Sequence, residues 1–207
     1  MNYTDISERL EVDRRTVDTY LDALDGDIAV TESHEYSLRR FRRTRLYLRN
    51  PRHVVLLSRR AEHYGYERDD HGPINHEFEY KLARTVAFDH AMRLAFAIRA
   101  NDVEYCETDA GTVDYILQRQ DIVYPFVLSY HPHGADAEMI ALAFDPSIGQ
   151  HAKPDGDEIY EYDYEAPYRF ILTDSVPREL LEDETLVRER NGVRICYVPF
   201  WLFLLIC

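Results

Sequence analysis

The chain has 207 residues, enough for one sizeable domain or for a small domain followed by a medium one. Its 38 acidic and 24 basic residues give a net charge of −14, and only two of the bases are lysines. This balance is typical of halophilic archaeal proteins, and an acidic mesophilic protein is the alternative. Three widely spaced cysteines and no secretion signal indicate a reducing cytoplasm. The longest apolar run, residues 198–207, is too short for a membrane-spanning helix, which needs about 20 residues.

Residues 3–25 are predicted to form a helix-turn-helix. Ile6 and Leu10 lie four positions apart on the first helix, and an apolar stripe begins at Val17 on the second. Asp13, between the two stripes, has the side chain of a good N-cap for the second helix. Two short helices joined in this way are the usual helix-turn-helix motif.

A small wing and an arginine cluster follow this motif. Residues 28–30 and 35–38 are predicted to pair as a hairpin, which would complete a winged helix over residues 1–50. Six arginines then fall between positions 39 and 49. The cluster either follows a nucleic-acid backbone or forms ion pairs with acids of this protein or of a partner.

The predicted DNA-binding residues combine the second helix with this cluster. They are Arg14, Arg15, Thr16, Thr19, Arg39, Arg40, Arg42, Arg43 and Arg45. Asp18 and Asp22 lie on the same helix and would repel phosphates, so docking onto a protein is the alternative role of this motif.

Residues 51–207 are predicted to form a second, mixed α/β domain. The predicted strands are 54–57, one starting at 103, 113–117, 122–130, 160–165, 168–172 and 193–198. The predicted helices are 78–98 and 135–144; residues 58–76 and 150–158 are predicted loops, and 180–190 is predicted to be helical or irregular. Strands 113–117 and 122–130 would form a hairpin with the turn Gln118–Asp121.

This hairpin resembles the metal-binding hairpin of restriction-endonuclease-like domains, in which an acid on the first strand is followed by Glu-x-Lys on the second. The resemblance implies that Asp114 is the first acid and that Glu79 is a further acid on the preceding helix. Val127 and Ser129 stand where the Glu and Lys are expected. A divalent ion needs several oxygen ligands, and phosphodiester cleavage needs charge stabilisation. Glu79 and Asp114 are therefore interpreted as vestiges of a lost nuclease site, with no metal and no cofactor.

Further motifs extend the resemblance over residues 1–205. They are Thr16-Val17, Tyr20-Leu21, Asn50-Pro51-Arg52, Phe78-Glu79, Val103-Glu104-Tyr105, Val113-Asp114-Tyr115, Tyr124-Pro125-Phe126-Val127 and Val198-Pro199-Phe200-Trp201-Leu202-Phe203-Leu204. In this order they are similar to the C-terminal region of archaeal and bacterial AAA ATPases. There, a nucleotide-binding module precedes a winged helix and a restriction-endonuclease-like domain of unassigned function. The chain has no G-x-x-x-x-G-K-[ST] phosphate loop, so ATP hydrolysis is not implied.

The expected fold is therefore mixed α/β: a winged helix-turn-helix (1–50) followed by a degenerate restriction-endonuclease-like mixed β-sheet flanked by helices (51–207). The expected function is that of a non-catalytic cytoplasmic module that binds double-stranded DNA or a partner, either an AAA ATPase module or a homologous subunit. Membrane association is not expected. The alternatives are a metal-dependent nuclease with a rearranged site, and a truncated ATPase remnant with no activity of its own.

Overall fold

A six-stranded mixed β-sheet with helices on both faces is the centre of the fold. The computed structural model describes residues 7–8, 11–25, 30–36, 43–48, 76–130, 136–149 and 164–206. The helices are α1 (Arg14–Asp25), α2 (His76–Ile98), α3 (Ala137–Ala143), α4 (Arg178–Glu182) and α5 (Phe200–Ile206). The strands are β1 (Val30–His34), β2 (Thr44–Leu48), β3 (Glu104–Thr108), β4 (Gly111–Arg119), β5 (Ile122–Leu128), β6 (Tyr168–Thr173), β7 (Val187–Arg190) and β8 (Val193–Pro199).

The sheet has the strand order β3-β4-β5-β6-β8-β7. Strands β3, β4 and β5 form an antiparallel meander, whereas β6 pairs in parallel with both β5 and β8. The parallel pairing of β5 with β6 requires a crossover, and α3 lies in that connection. Strand β7 pairs antiparallel with β8 and forms the edge of the sheet opposite to β3.

Two hydrophobic cores lie on opposite faces of the sheet. On one face, Val127 and Ile171 of the sheet pack with Ile140 of α3. On the other, Leu128 of the sheet packs with residues of α2 and with Phe203 of α5. Adjacent residues of a strand point to opposite faces, so Val127 and Leu128 belong to different cores.

The buried residues of helix α2 recur at helical spacing. Tyr80, Ala87, Phe88, Ala91 and Ala95 are buried, at successive steps of seven, one, three and four residues, and they pack against one face of the sheet. Helix α3 begins at an N-cap, where the Asp136 side chain accepts a hydrogen bond from the Glu138 N–H.

The first described elements pack along the β3 edge of the sheet. Strands β1 and β2 form an antiparallel pair, and α1 packs against β1. The Ser33 hydroxyl donates to the Val103 carbonyl, and the Tyr36 N–H donates to the Tyr105 carbonyl. Tyr36 and Tyr47 each enter one of the two cores of the sheet. Because residues 49–75 lie outside the described residues, the domain boundary at 50–51 stays a prediction.

Several predicted elements are confirmed. The helix predicted over 78–98 begins two residues earlier, at His76, and the strands predicted at 168–172 and 193–198 are β6 and β8. The helix predicted over 135–144 is α3, and the predicted N-cap Asp13 accepts a hydrogen bond from the Thr16 N–H at 2.9 Å. The predicted strands 54–57 and most of 160–165, and the predicted loop over 150–158, lie outside the described residues.

Three predictions are wrong in detail. The partner of β1 is Thr44–Leu48 within the arginine cluster, not 35–38, because Leu46 and Tyr47 supply the apolar and aromatic residues of a strand. The β4–β5 turn has two residues, Gln120 and Asp121, since Arg119 already pairs with Ile122. Its positive φ of 55° at Gln120 is typical of a tight hairpin turn.

The third concerns residues 180–190. Residues 180–186 are helical and then irregular, as predicted, but residues 187–190 form the edge strand β7. In the described part of the chain, no helix is long and apolar enough to cross a membrane.

Candidate functional site

A β-bulge in strand β4 positions the acid that the sequence singles out. Glu104 pairs with Ile116, but Cys106 pairs with Val113, so Asp114 and Tyr115 together lie opposite Tyr105. A bulge of this kind changes the direction in which a side chain points. Here Asp114 and Tyr115 both reach α2, since the Tyr115 hydroxyl donates to the carbonyl of Arg84.

The Asp114 carboxylate is completely buried and accepts hydrogen bonds at both oxygens. Its Oδ1 accepts from the Tyr80 hydroxyl of α2 at 2.6 Å, and its Oδ2 accepts from the Leu128 backbone N–H of β5 at 2.8 Å. The backbone pairing of β4 with β5 ends at Tyr115 and Phe126. Beyond that pair, the Asp114 carboxylate accepts the hydrogen bond of the Leu128 N–H. The acid thereby joins α2, β4 and β5.

Arg84 supplies positive charge to this buried cluster. Its guanidinium carbon lies 5.1 Å from the ring centroid of Tyr80 and 5.9 Å from that of Tyr47. Burial disfavours the charged form, but the oxygens of Tyr47, Tyr80 and Asp114 outweigh it and raise the pKa of Arg84. The guanidinium therefore stays charged and compensates the carboxylate.

The phenol of Tyr80 remains a hydrogen-bond donor. Burial, and then the negative charge of Asp114, raise the pKa of Tyr80 above its usual range. Burial likewise raises the pKa of Tyr115. A protonated Tyr80 hydroxyl can only donate to an ionised carboxylate, which matches the geometry at Asp114 Oδ1.

This arrangement does not resemble a metal centre. Both Asp114 oxygens already accept hydrogen bonds, and a ligand set for a hard divalent ion needs several oxygens around one point. Within the described ranges, no group of three or more His, Cys, Asp and Glu side chains is placed to bind a metal ion. The chemistry that the geometry supports at Asp114 is stabilisation of the fold.

Glu79, the second predicted vestigial acid, is exposed and does not share the buried position of Asp114. It is exposed, whereas its neighbour Tyr80 is buried and contacts Asp114. Successive residues of a helix do not face the same direction. After burial, the negative charges of Asp174 and Glu79 raise the pKa of Tyr130, which places Glu79 near the ends of β5 and β6.

Val127, which stands where the resemblance expects a metal ligand, packs in the core on the α3 side of the sheet. Val127 is fully buried in the α3-side core, whereas Asp114 hydrogen-bonds to α2 on the other face. Ser129 is half-buried, and its N–H donates to the Leu172 carbonyl at 2.9 Å. The side chains of Asp114 and Val127 therefore lie on opposite faces of the sheet.

Helix α1 places the first part of the predicted DNA-binding set. Arg14, Arg15 and Thr19 are exposed, and Thr16 is half-buried. The Thr19 hydroxyl donates to the Arg15 carbonyl of its own helix at 2.9 Å. The two arginines lie in the first helical turn, close to the N-cap Asp13.

The two described arginines of the predicted set in this cluster differ in their exposure. Arg39, Arg40 and Arg42 lie outside the described residues. Arg43 is exposed, and its carbonyl accepts from the Glu35 N–H. Arg45 is half-buried: its guanidinium lies 3.7 Å from the Tyr105 ring centroid and forms an ion pair with Glu107. Arg45 therefore contacts its own sheet through its side chain.

A second buried carboxylate, which is not among the predicted site residues, is that of Glu138 in α3. Arg188 and Arg190 of β7 approach it with N–O distances of 2.9 and 2.8 Å, and the Tyr197 hydroxyl donates to it. The alternation of Arg188 and Arg190 is typical of a strand and would have placed both on one face. The cluster ties α3 to the β7 edge.

Comparison with known proteins finds no similar protein: no family model, no curated protein and no solved structure matches the chain.

Proposed function

We propose that this chain is a non-catalytic binding module, with a winged helix at its N-terminal end and a restriction-endonuclease-like sheet whose key acid has become structural. The observation that carries the proposal is the state of Asp114, which is completely buried with both oxygens accepting hydrogen bonds. Such a carboxylate is unsuited to coordinate an ion or to activate water. We also propose that the chain is related to the C-terminal region of archaeal and bacterial AAA ATPases.

The ligand that we propose for the N-terminal part is double-stranded DNA. Arg14 and Arg15 are exposed in the first turn of α1, the helix that would enter the major groove. The connection from β1 to β2 contains the exposed Arg43 and, in sequence, three further arginines. Exposed arginines at the start of a helix and directly before a strand suit contacts with phosphates, which position a protein without reading sequence.

A gel-shift titration with random-sequence duplex DNA tests this ligand. We expect a shift at micromolar wild-type protein that weakens as salt rises, because phosphate contacts release counterions. The double substitution Arg14→Glu and Arg15→Glu should abolish the shift. Acidic residues suit the start of a helix, so the variant should stay folded.

Arg178→Glu is the matched control, since Arg178 is exposed at the start of another helix, α4. This variant should shift DNA as the wild type does. The DNA proposal fails if the wild-type protein gives no shift, or if the α1 double variant and the Arg178 variant shift equally.

A second candidate function is docking of a protein partner, such as a homologous subunit. Trp201 and Leu205, four positions apart on α5, are 63% and 75% exposed. Apolar side chains so far exposed on one helix face commonly mark a contact surface. The net charge of −14 also favours a protein over DNA as partner.

Sedimentation velocity over a range of protein concentrations tests the homologous subunit. Association of the wild type should be lost on replacing Trp201 and Leu205 with serine. Phe96→Ser is the control, because Phe96 is also apolar and strongly exposed but lies on α2. A wild-type protein that stays monomeric at every concentration rejects this partner.

A further inference from the structure

A cavity of about 300 Å³ lies between the sheet and the two helices that cover its second face. Leu94 of α2 and Phe203 of α5 form two of its walls, and Phe126 and Phe170 of the sheet form its floor. The rings of Phe126 and Phe170 are stacked on each other, with their centroids 4.7 Å apart. The volume is at the lower end of the range of small-molecule sites, about 300 to 1,000 Å³.

Two lining side chains are polar, Arg119 at the end of β4 and Tyr124 of β5. Arg119 pairs with Ile122 across the tight turn, and Tyr124 is two residues further along the same strand. Arg119 and Tyr124 are therefore diagonal neighbours on one face of the sheet, a spacing that long side chains span. Arg119 is exposed and Tyr124 half-buried, so the polar end of the cavity is the end that meets solvent.

The lining fixes the chemistry of a ligand. The apolar walls select a hydrocarbon or aromatic body, and a guanidinium beside a phenol selects an oxygen anion that accepts hydrogen bonds from both. A carboxylate on a short apolar chain satisfies both requirements. A neutral or cationic amphiphile satisfies only the first.

We propose that this cavity binds a small amphipathic carboxylate, with its chain between α2 and α5 and its carboxylate at Arg119 and Tyr124. The site is separate from α1 and from the exposed α5 face of the proposed function, so neither proposal depends on the other. Each further methylene that enters the cavity should improve affinity about fourfold. The gain should stop when the cavity is full.

Isothermal titration calorimetry of the full chain with hexanoate, octanoate and decanoate tests the site, with octanol and octylammonium as probes of the head group. We expect octanoate to bind more tightly than octylammonium, and affinity to rise with chain length and then level off. Arg119→Gln should weaken octanoate binding about threefold to fivefold, as for a partly exposed ion pair, and leave octanol binding unchanged. Leu94→Trp, which fills the cavity, should weaken all probes at least about tenfold.

Arg178→Gln is the matched control, because Arg178 is exposed on α4 and does not line the cavity. It should bind octanoate as the wild type does. Because Arg119 is exposed, Arg119→Gln should keep the fold. This variant therefore tests carboxylate binding even if Leu94→Trp does not fold. The proposal is overturned if octanoate gives no binding up to about 1 mM. It is also overturned if Arg119→Gln and Arg178→Gln bind octanoate equally.

Discussion

The carboxylate of Asp114 accepts a 2.6 Å hydrogen bond from the phenol of Tyr80, and this contact links helix α2 to the bulged strand β4. Because the same carboxylate accepts from the Leu128 N–H, three elements depend on one side chain. A buried polar group of this kind stabilises when both of its partners are present and costs much when one is lost. Asp114, the acid that resembles a nuclease ligand in the sequence, is therefore a buried part of the core.

Asp114→Asn should destabilise the protein although it barely changes the size of the side chain. An amide offers one acceptor and one donor group, so either the Tyr80 hydroxyl or the Leu128 N–H would lose its acceptor. We expect the free energy of unfolding to fall by about 2 to 3 kcal/mol. Urea denaturation followed by circular dichroism measures it. Asp102→Asn, at an exposed acid just before β3, is the control, and equal effects of the two substitutions would show that Asp114 has no special structural role.

Val127→Glu should unfold the protein and should not create a metal site. The new carboxylate would lie in the α3-side core with Ile140 and Ile171, without a compensating charge. We expect a loss of about 3 to 5 kcal/mol. Val187→Glu on the edge strand β7, where valine is exposed, should cost little. If the Val127 variant were stable and gained stability on adding Mn²⁺, the assignment of Val127 to the opposite face from Asp114 would be contradicted.

Glu138→Gln should loosen α3 from the β7 edge. The carboxylate is buried, but Arg188 and Arg190 are partly exposed, so solvent weakens the ion pairs. We expect a loss of about 1 to 2 kcal/mol that shrinks as salt rises. Thermal unfolding at low and high salt, beside Glu182→Gln at an exposed glutamate of α4, measures the difference. A loss that is independent of salt would argue against the ion pairs.

Stability should be lost in alkaline solution. Burial raises the pKa of Tyr105 to about 12 and that of the Cys106 thiol to about 11, and it also raises the pKa of Tyr80 and Tyr115. In the unfolded chain these groups ionise near their ordinary values, about 8.5 for the thiol and about 10 for the phenols. The unfolded state therefore binds fewer protons above about pH 9 and is favoured as pH rises towards 12.

Tyrosinate absorbance and circular dichroism recorded together through this range measure the effect. The buried phenols should ionise only as the fold is lost. Ionisation of all sixteen tyrosines near pH 10 in a protein that keeps its circular dichroism would contradict this account.

The sequence predicts those parts of the fold whose pattern is local. Helix α2 and strands β6 and β8 have apolar residues at clear helical or strand spacing, and Asp13 has the side chain of an N-cap. Strand β7 is missed because it has only four residues and three of them are charged. A strand at the edge of a sheet needs few apolar side chains, so its pattern is weak.

The contacts of the candidate site are harder to predict from the sequence. Strict alternation in β4 places Asp114 on the face opposite to Tyr115, and only the bulge, which depends on pairing with β3, brings both to α2. The contact of Arg45 with Glu107 joins residues 62 positions apart. Neither the bulge nor this contact has a local signal.

The central inference, that Asp114 holds the fold together and does not cleave DNA, is tested most directly by plasmid cleavage in Mg²⁺ or Mn²⁺. We expect purified wild-type protein, Asp114→Asn and Glu79→Gln to show the same background nicking with and without metal. Glu79 is exposed, so its variant should fold even if the Asp114 variant is too unstable to assay. Metal-dependent cleavage by the wild type that is lost in a folded Asp114→Asn or Glu79→Gln variant would contradict the account.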